Sequence, residues 1–236
     1  MLAIANEFTA LFMLVHLIVV TLLSWQVYRR ASGAARYLGF IILYPWLLVT
    51  LLIALSGFVE DMTPMISPLG FVMTTVLILG LGLMFFWKPA QRAIDSLPNE
   101  WLIGIQAYRV LGFIFLIGWL NGELPLALGP ITAFNDVVVG VTALIVALLV
   151  RSGRHTRLAR AWNLFGLLDF AYAITVGVLA APHALRLLPL TPDTAALGLL
   201  PLSLITLWAV PLSVMLHVAS LRRLARQART PVLAAA

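Results

Sequence analysis

Seven stretches of the chain are almost continuously apolar, at residues 8–28, 37–58, 69–87, 101–120, 131–150, 161–180 and 197–220. Polar and charged residues collect in the short segments between them. About 20 such residues in a helix cross the hydrocarbon of a bilayer. A barrel strand needs only about 10 alternating residues, so runs this long and continuous predict helices. The pattern predicts an all-α integral membrane protein, a single seven-helix bundle over residues 1–230 with a disordered end at 231–236.

Composition narrows the class. Of 236 residues, 62% are hydrophobic and 10% charged, against about 45–50% and about 25% in a soluble domain. An ordinary water-soluble globule and a disordered chain are both excluded. With no cysteine, disulfides, thiolate metal sites and a cysteine nucleophile are excluded too.

Charge placement predicts orientation, because Lys and Arg near span ends stay on the cytoplasmic side. Arg29, Arg30 and Arg36, then Lys88 and Arg92, then Arg151, Arg154, Arg157 and Arg160 fall in odd-numbered connections. The tail adds Arg222, Arg223, Arg226 and Arg229, while even-numbered connections hold Arg186 beside Glu60, Asp61, Glu123 and Asp193. The prediction is N-terminus outside, C-terminus cytoplasmic. Glu7 before the first apolar run and arginines after it are the reverse of a secretory signal. The net charge of +6 is explained by these clusters, which set topology and touch anionic lipid; nucleic acid is not an expected partner.

The connections are too short for an extramembrane domain. Residues 90–97, between Pro89 and Pro98, predict a short interfacial helix, and Asn99 is placed to cap the fourth span. No repeat relates the two ends of the chain. Gly80, Gly82, Gly104, Gly112, Gly140 and Gly166 are candidates for close helix approach, and Gly118-x-x-x-Gly122 has the spacing of an internal packing motif.

Ionisable residues within spans are costly, at about 2.5–3.5 kcal/mol on insertion scales, and face the bundle interior or a wet cavity. Arg109, Asp136 and Asp169 are of this kind; His16, His217, Gln106, Asn135 and Asn163 accompany them. At about 1.5 Å per residue, Arg109 and Asp169 both lie roughly 12 Å from the cytoplasmic edge and are expected to pair. Asp136 is expected about 8 Å from the outer edge, and His16 about 12 Å from it. That leaves Asp136 without a cation at its own depth, where a protonatable carboxyl facing an outer vestibule suits proton coupling. His217 is expected at the cytoplasmic interface. A buried ion pair fixing helix register explains Arg109–Asp169 as readily as a ligand site does.

Absences remove several chemistries. The single lysine, Lys88, lies between spans, so a retinal Schiff base in the last helix is excluded. No pair of histidines has zinc-site spacing, and no Gly-x-Ser-x-Gly elbow or phosphate-binding glycine loop occurs. No cofactor is expected.

Residues 104–180 resemble uncharacterised polytopic membrane proteins of bacteria. The resemblance rests on Gln106-x-x-Arg109-x-x-Gly112-x-x-Phe115, Gly122-Glu-Leu-Pro125, Phe134-Asn-Asp136-x-x-x-Gly140 and Trp162-Asn163-x-x-Gly166-x-x-Asp169. It implies a multi-pass protein of the bacterial inner membrane, with no activity attached. The leading expectation is a small permease or ligand-binding membrane protein, proton-linked through Asp136. Its pocket lies between helices four, five and six and is lined by Gln106, Arg109, Asp136, Asn163 and Asp169, closed by His16. Its partners are the bilayer and an unidentified small molecule, with a second copy of the chain left open. Two alternatives remain: a non-catalytic assembly or sensor subunit, and an intramembrane enzyme using Asp136 or Asp169 as acid and base on a lipidic substrate.

Overall fold

A computed structural model describes residues 2–184 and 186–233, with side chains over 6–184 and 186–228. The described residues are helical or irregular, with no strand among them. Helix α1 (Leu2–Arg30) is followed by a 3-10 turn (Gly33–Tyr37), a π segment (Gly39–Leu43) and α2 (Tyr44–Leu55). Then come α3 (Pro68–Phe86), the short α4 (Lys88–Asp95), and α5 (Asn99–Gly104), which continues as a 3-10 helix (Ile105–Phe113) into α6 (Ile114–Leu120). Helices α7 (Gly129–Val150) and α8 (Thr156–Leu179) follow. A 3-10 turn (Ala195–Gly198), α9 (Leu202–Leu204), a second π segment (Ile205–Ala209) and α10 (Val210–Leu233) complete the chain.

Six helices are long and apolar enough to cross a membrane: Asn6–Arg30, Pro68–Phe86, Asn99–Leu120, Gly129–Val150, Thr156–Leu179 and Leu202–Ala228. The second apolar stretch folds as Gly39–Leu55, a shorter helix. Of the sequence-predicted run, Tyr37 belongs to the 3-10 turn before it and residues 56–58 to a turn after it.

The irregular turns have causes in the sequence. Each π segment ends two residues before a proline, Pro45 in one case and Pro211 in the other. Proline lacks the N–H that would bond four residues back and its ring presses on that carbonyl, so the preceding turn widens. Ser67 caps α3 by accepting a 3.1 Å bond from the Gly70 amide, with Pro68 in the first turn. Asn99 does not cap α5. Pro98 holds the cap position, and the Asn99 side chain turns inward. Gly118-x-x-x-Gly122 is not a packing motif either. Gly122 has φ +71° and ends α6 with the Glu123 amide bonded to the Gly118 carbonyl at 2.8 Å, the left-handed C-terminal turn that favours glycine. At the far end, residues 231–233 continue α10, and 234–236 lie outside the described residues.

Helix α7 packs on the whole length of α5, the 3-10 helix and α6, and on α8; α10 packs on α8, α5 and α3. Small residues set these distances. A Cβ on Gly140 would fall 2.6 Å from the Val110 backbone nitrogen, and one on Gly129 would fall 2.9 Å from the Phe115 carbonyl. Around them the core is filled by Phe12, Leu102, Ile114, Leu128, Leu207 and Trp208. α4 lies across the ends of its neighbours with Ala90 and Ala93 inward, and Arg222 and Arg226 of α10 pair with its Asp95. The short helix expected around residues 90–97 is therefore present and anchored.

Close approach at Gly140 makes a stability prediction. Gly140→Ala meets rigid backbone and costs about 1–3 kcal/mol, whereas Gly82→Ala enters open space. Thermal unfolding of the two purified variants is expected to drop for the first and hold for the second.

Candidate functional site

The 3-10 helix in the third of the six long helices carries the site. Runs of this geometry seldom exceed three or four residues, and in it side chains three apart stand in line. Here it extends over nine residues. The sequence supplies the matching period: Gln106, Arg109 and Gly112, with Phe115 one step beyond, recur every third residue. They form one row facing α7, α8 and α10.

Arg109 is the centre of that row. Its Nε donates to Asp136 Oδ1 at 2.8 Å, and its Nη2 lies 2.7 Å from the same oxygen. Nη2 also donates to Asp169 Oδ2 at 2.5 Å, while Asn135 donates to the other Asp169 oxygen at 2.9 Å. Nη1 faces His217 Nε2 at 3.2 Å, and the guanidinium lies 4.1 Å from the centre of the Phe170 ring. Arg109, Asp136 and Asp169 are all buried.

The expected Arg109–Asp169 contact is present. Asp136 is not alone at a shallower level, as the sequence depths had it, but shares the same guanidinium. The rise of the 3-10 helix, about 2.0 Å per residue, explains the difference together with helices that begin earlier than the apolar runs. Counted from Asn99, Thr156 and, at the end of α7, Val150, Arg109 stands about 18 Å, Asp169 about 20 Å and Asp136 about 21 Å from one common end. The three charges meet at one level.

Glycines make room for this. A Cβ on Gly112 would collide with the Asp136 carboxyl, and one on Gly166 would collide with the His217 imidazole. His217 is itself fully buried, not at an interface. The apolar run ends near Ser220, but α10 continues past it to Leu233, which moves His217 into the bundle. Because Arg109 can only donate, His217 Nε2 must accept; its Nδ1 then carries the proton and donates to Asn163 Oδ1 at 3.0 Å. Gln106 lies 3.4 Å from the same nitrogen. Asn163 donates to Ser220 at 3.0 Å, Ser220 to Asn99 at 3.2 Å, and Asn99 to the exposed Gln227 at 3.4 Å. A ladder of amides and hydroxyls thus connects the cluster to one end of the bundle.

Of the six residues expected to line a pocket, Arg109, Asp136 and Asp169 are in direct contact. Gln106 and Asn163 join them through His217. His16 does not touch the cluster. Its ring stacks on Phe12 at 3.9 Å between centroids, Nδ1 donates to the Phe12 carbonyl at 2.8 Å, and Nε2 has no hydrogen-bond partner among the described residues. It does line, with Arg109, Asp136 and Tyr108, a cavity of about 20 Å³, space for about one water. Sequence reasoning set His217 at an interface and missed Ser213, which bonds Tyr108 at 2.6 Å, and Ser220. Their spacing of four and then three residues is the signal: one polar stripe on an otherwise apolar helix.

A larger cavity of about 540 Å³ lies on the side of the cluster away from the ladder. It is bounded by α3, α8, the start of α10 and the connection before α3, and includes Ser67, Thr74, Thr75 and Thr206. Phe170 and Val210 line both this cavity and the small one against Arg109. One aromatic ring and one valine therefore stand between an open cavity and the buried guanidinium. No group of three or more histidine, aspartate or glutamate side chains among the described residues could hold a metal ion.

Residues 66–225 match the model of a family described as a domain of unknown function, DUF8737. The chain belongs to the DUF8737 family. The matched segment of this DUF8737 protein contains Arg109, Asp136, Asp169, Asn163 and His217, and leaves His16 and the first two apolar elements outside it. No curated protein and no solved structure matches the chain.

Removing one partner of a buried ion pair costs about 3–5 kcal/mol in soluble proteins. Arg109→Leu, which leaves two carboxylates facing each other, is expected to be the least stable variant. Asp136→Asn is expected to be the mildest, since Asp169 still pairs with the guanidinium. Combining Arg109→Leu with Asp136→Asn and Asp169→Asn restores most of the loss, and unfolding midpoints in detergent measure the order.

Proposed function

We propose that this DUF8737 protein is a seven-span bacterial inner-membrane protein, N-terminus outside, that binds and moves a small anionic solute together with a proton. Several features support the bilayer setting. Six helices have spanning length, and Gly39–Leu55 makes a shorter seventh. Large apolar side chains such as Ile78, Phe134, Leu148 and Leu168 are exposed on helix surfaces. Basic residues gather in alternate connections, on the side that is kept cytoplasmic.

The observation that carries the functional reading is the sharing of one buried guanidinium by two carboxylates, one ring away from an open cavity. With Arg109 charged and both carboxyls ionised, the cluster holds one net negative charge. A proton arriving on Asp136 releases the Arg109 Nε side from its partner. The anionic group of a solute passing Phe170 then takes the place of that carboxylate, and the cluster charge returns to its starting value. The solute therefore enters only with a proton. Asp169, held by Asn135, keeps Arg109 aimed while Asp136 lets go.

A second reading has an observation of its own. Every nitrogen of Arg109 is directed to a partner inside the bundle, and only about 20 Å³ remains beside it. A membrane subunit without transport, in which the cluster fixes helix register, fits that saturation.

Reconstituted vesicles loaded with a fluorescent pH indicator separate the two. With inorganic phosphate as probe anion outside, the transport reading expects lumen acidification in wild type beyond that of protein-free vesicles. Asp136→Asn and Arg109→Gln are expected to lower the rate at least tenfold, and Phe170→Ala to raise it. Equal rates in wild type and in correctly folded Asp136→Asn and Arg109→Gln would overturn the transport reading in favour of the subunit.

A further inference from the structure

A second large cavity, about 340 Å³, lies at the other end of the bundle between α1, the π segment and α2, α3, α4 and α10. Its size falls in the range of ligand sites, about 300–1,000 Å³. No charged side chain, amide or hydroxyl lines it; its walls include Leu23, Ile42, Val76, Leu79, Leu83 and Leu216. Such walls accept a hydrocarbon chain, and the indole N–H of Trp46 is the one side-chain donor among the lining residues.

The α4 rim of this cavity is basic. Ala90 and Ala93 of α4 line the cavity, and Lys88 and Arg92, one helical turn apart on the same helix, are exposed on its outer face. Neither forms an ion pair with the described residues. The nearby acid, Asp95, is already taken by Arg222 and Arg226 of α10. Across the rim, Leu38 lines the cavity and Arg36, two residues earlier, lies with its guanidinium 4.2 Å from the Tyr28 ring centre. The cavity is thus apolar throughout its depth and carries uncompensated positive charge at its α4 edge.

We infer that this cavity is a binding site for an anionic phospholipid of the cytoplasmic leaflet, one acyl chain in the cavity and the phosphate against Lys88 and Arg92. The inference rests on the bilayer setting proposed above but not on transport. α4 supplies both halves of the site, its alanine face to the chain and its basic face to the headgroup. Basic pockets between spans on the cytoplasmic side are a recurrent way to hold acidic lipids.

Native mass spectrometry of the full chain, released from detergent containing equal amounts of phosphatidylglycerol and phosphatidylcholine of one chain length, tests this. Wild type is expected to retain phosphatidylglycerol about 25-fold more, from the roughly fivefold that each of the two basic residues near a bilayer surface contributes. Lys88→Gln with Arg92→Gln is expected to abolish the preference while leaving some lipid bound. Ala93→Phe, which puts a ring into the cavity, is expected to lower retention of both lipids; Leu83→Trp serves from the α3 wall if that variant does not fold. Equal retention of the two lipids by wild type, or a preference that survives both kinds of variant, would overturn the site. A chain recovered in the soluble fraction without detergent would instead overturn the bilayer setting.

Discussion

A guanidinium inside an apolar bundle has to be answered by charge and by hydrogen bonds, and most of the architecture around Arg109 is that answer. Two carboxylates from α7 and α8 and an imidazole from α10 reach it from three directions. Desolvating an isolated charge is far costlier than any single packing contact. Helices that carry the partners must therefore come close enough to deliver short side chains. Gly112, Gly140 and Gly166 give that proximity, each at a place where a Cβ would strike a partner or the backbone opposite. The ion cluster and the glycine contacts are two sides of one constraint.

The backbone deviates from the α-helix in the same region. A 3.6-residue turn would rotate Gln106, Arg109 and Gly112 away from one another by about 60° at each step of three, whereas a 3-10 turn aligns them. Alignment lets Gln106 and Arg109 address one His217 while Gly112 leaves space for the Asp136 carboxyl. The π segments before Pro45 and Pro211 have a different origin, the missing proline N–H, and need no functional account.

Much of this was legible from the residues alone. Apolar runs located the long helices, and the cost of burial singled out Arg109, Asp136 and Asp169 as residues that must face inward. The contact between Arg109 and Asp169 followed from their matched depths. Depth arithmetic failed for Asp136 because it assumed a constant rise, and the tight geometry of residues 105–113 stretches that helix. Span boundaries drawn at the first arginines hid the continuation of α10, and with it the interior position of His217. Its arginines are accommodated by Asp95 and by the Met84 and Asp95 carbonyls, partners supplied by segments far off in sequence. Asn99 looked like a cap for the local reason of its position, but a tertiary partner, Ser220, claims its side chain.

The surroundings of Arg109 are asymmetric, and the asymmetry bears on which side yields. Toward one end, His217, Asn163, Ser220 and Asn99 are linked donor to acceptor, so displacing one leaves a buried group unsatisfied, at about 1–3 kcal/mol each. Toward the other, the barrier is the Phe170 ring and Val210, with a wide cavity behind them. Rotating an aromatic ring into an open cavity breaks no hydrogen bond. The cluster is consequently stiff on its ladder side and soft on its cavity side. Asp136, which lines the small cavity behind Phe170 and holds the guanidinium from two turns inside α7, is the partner whose release disturbs the ladder least.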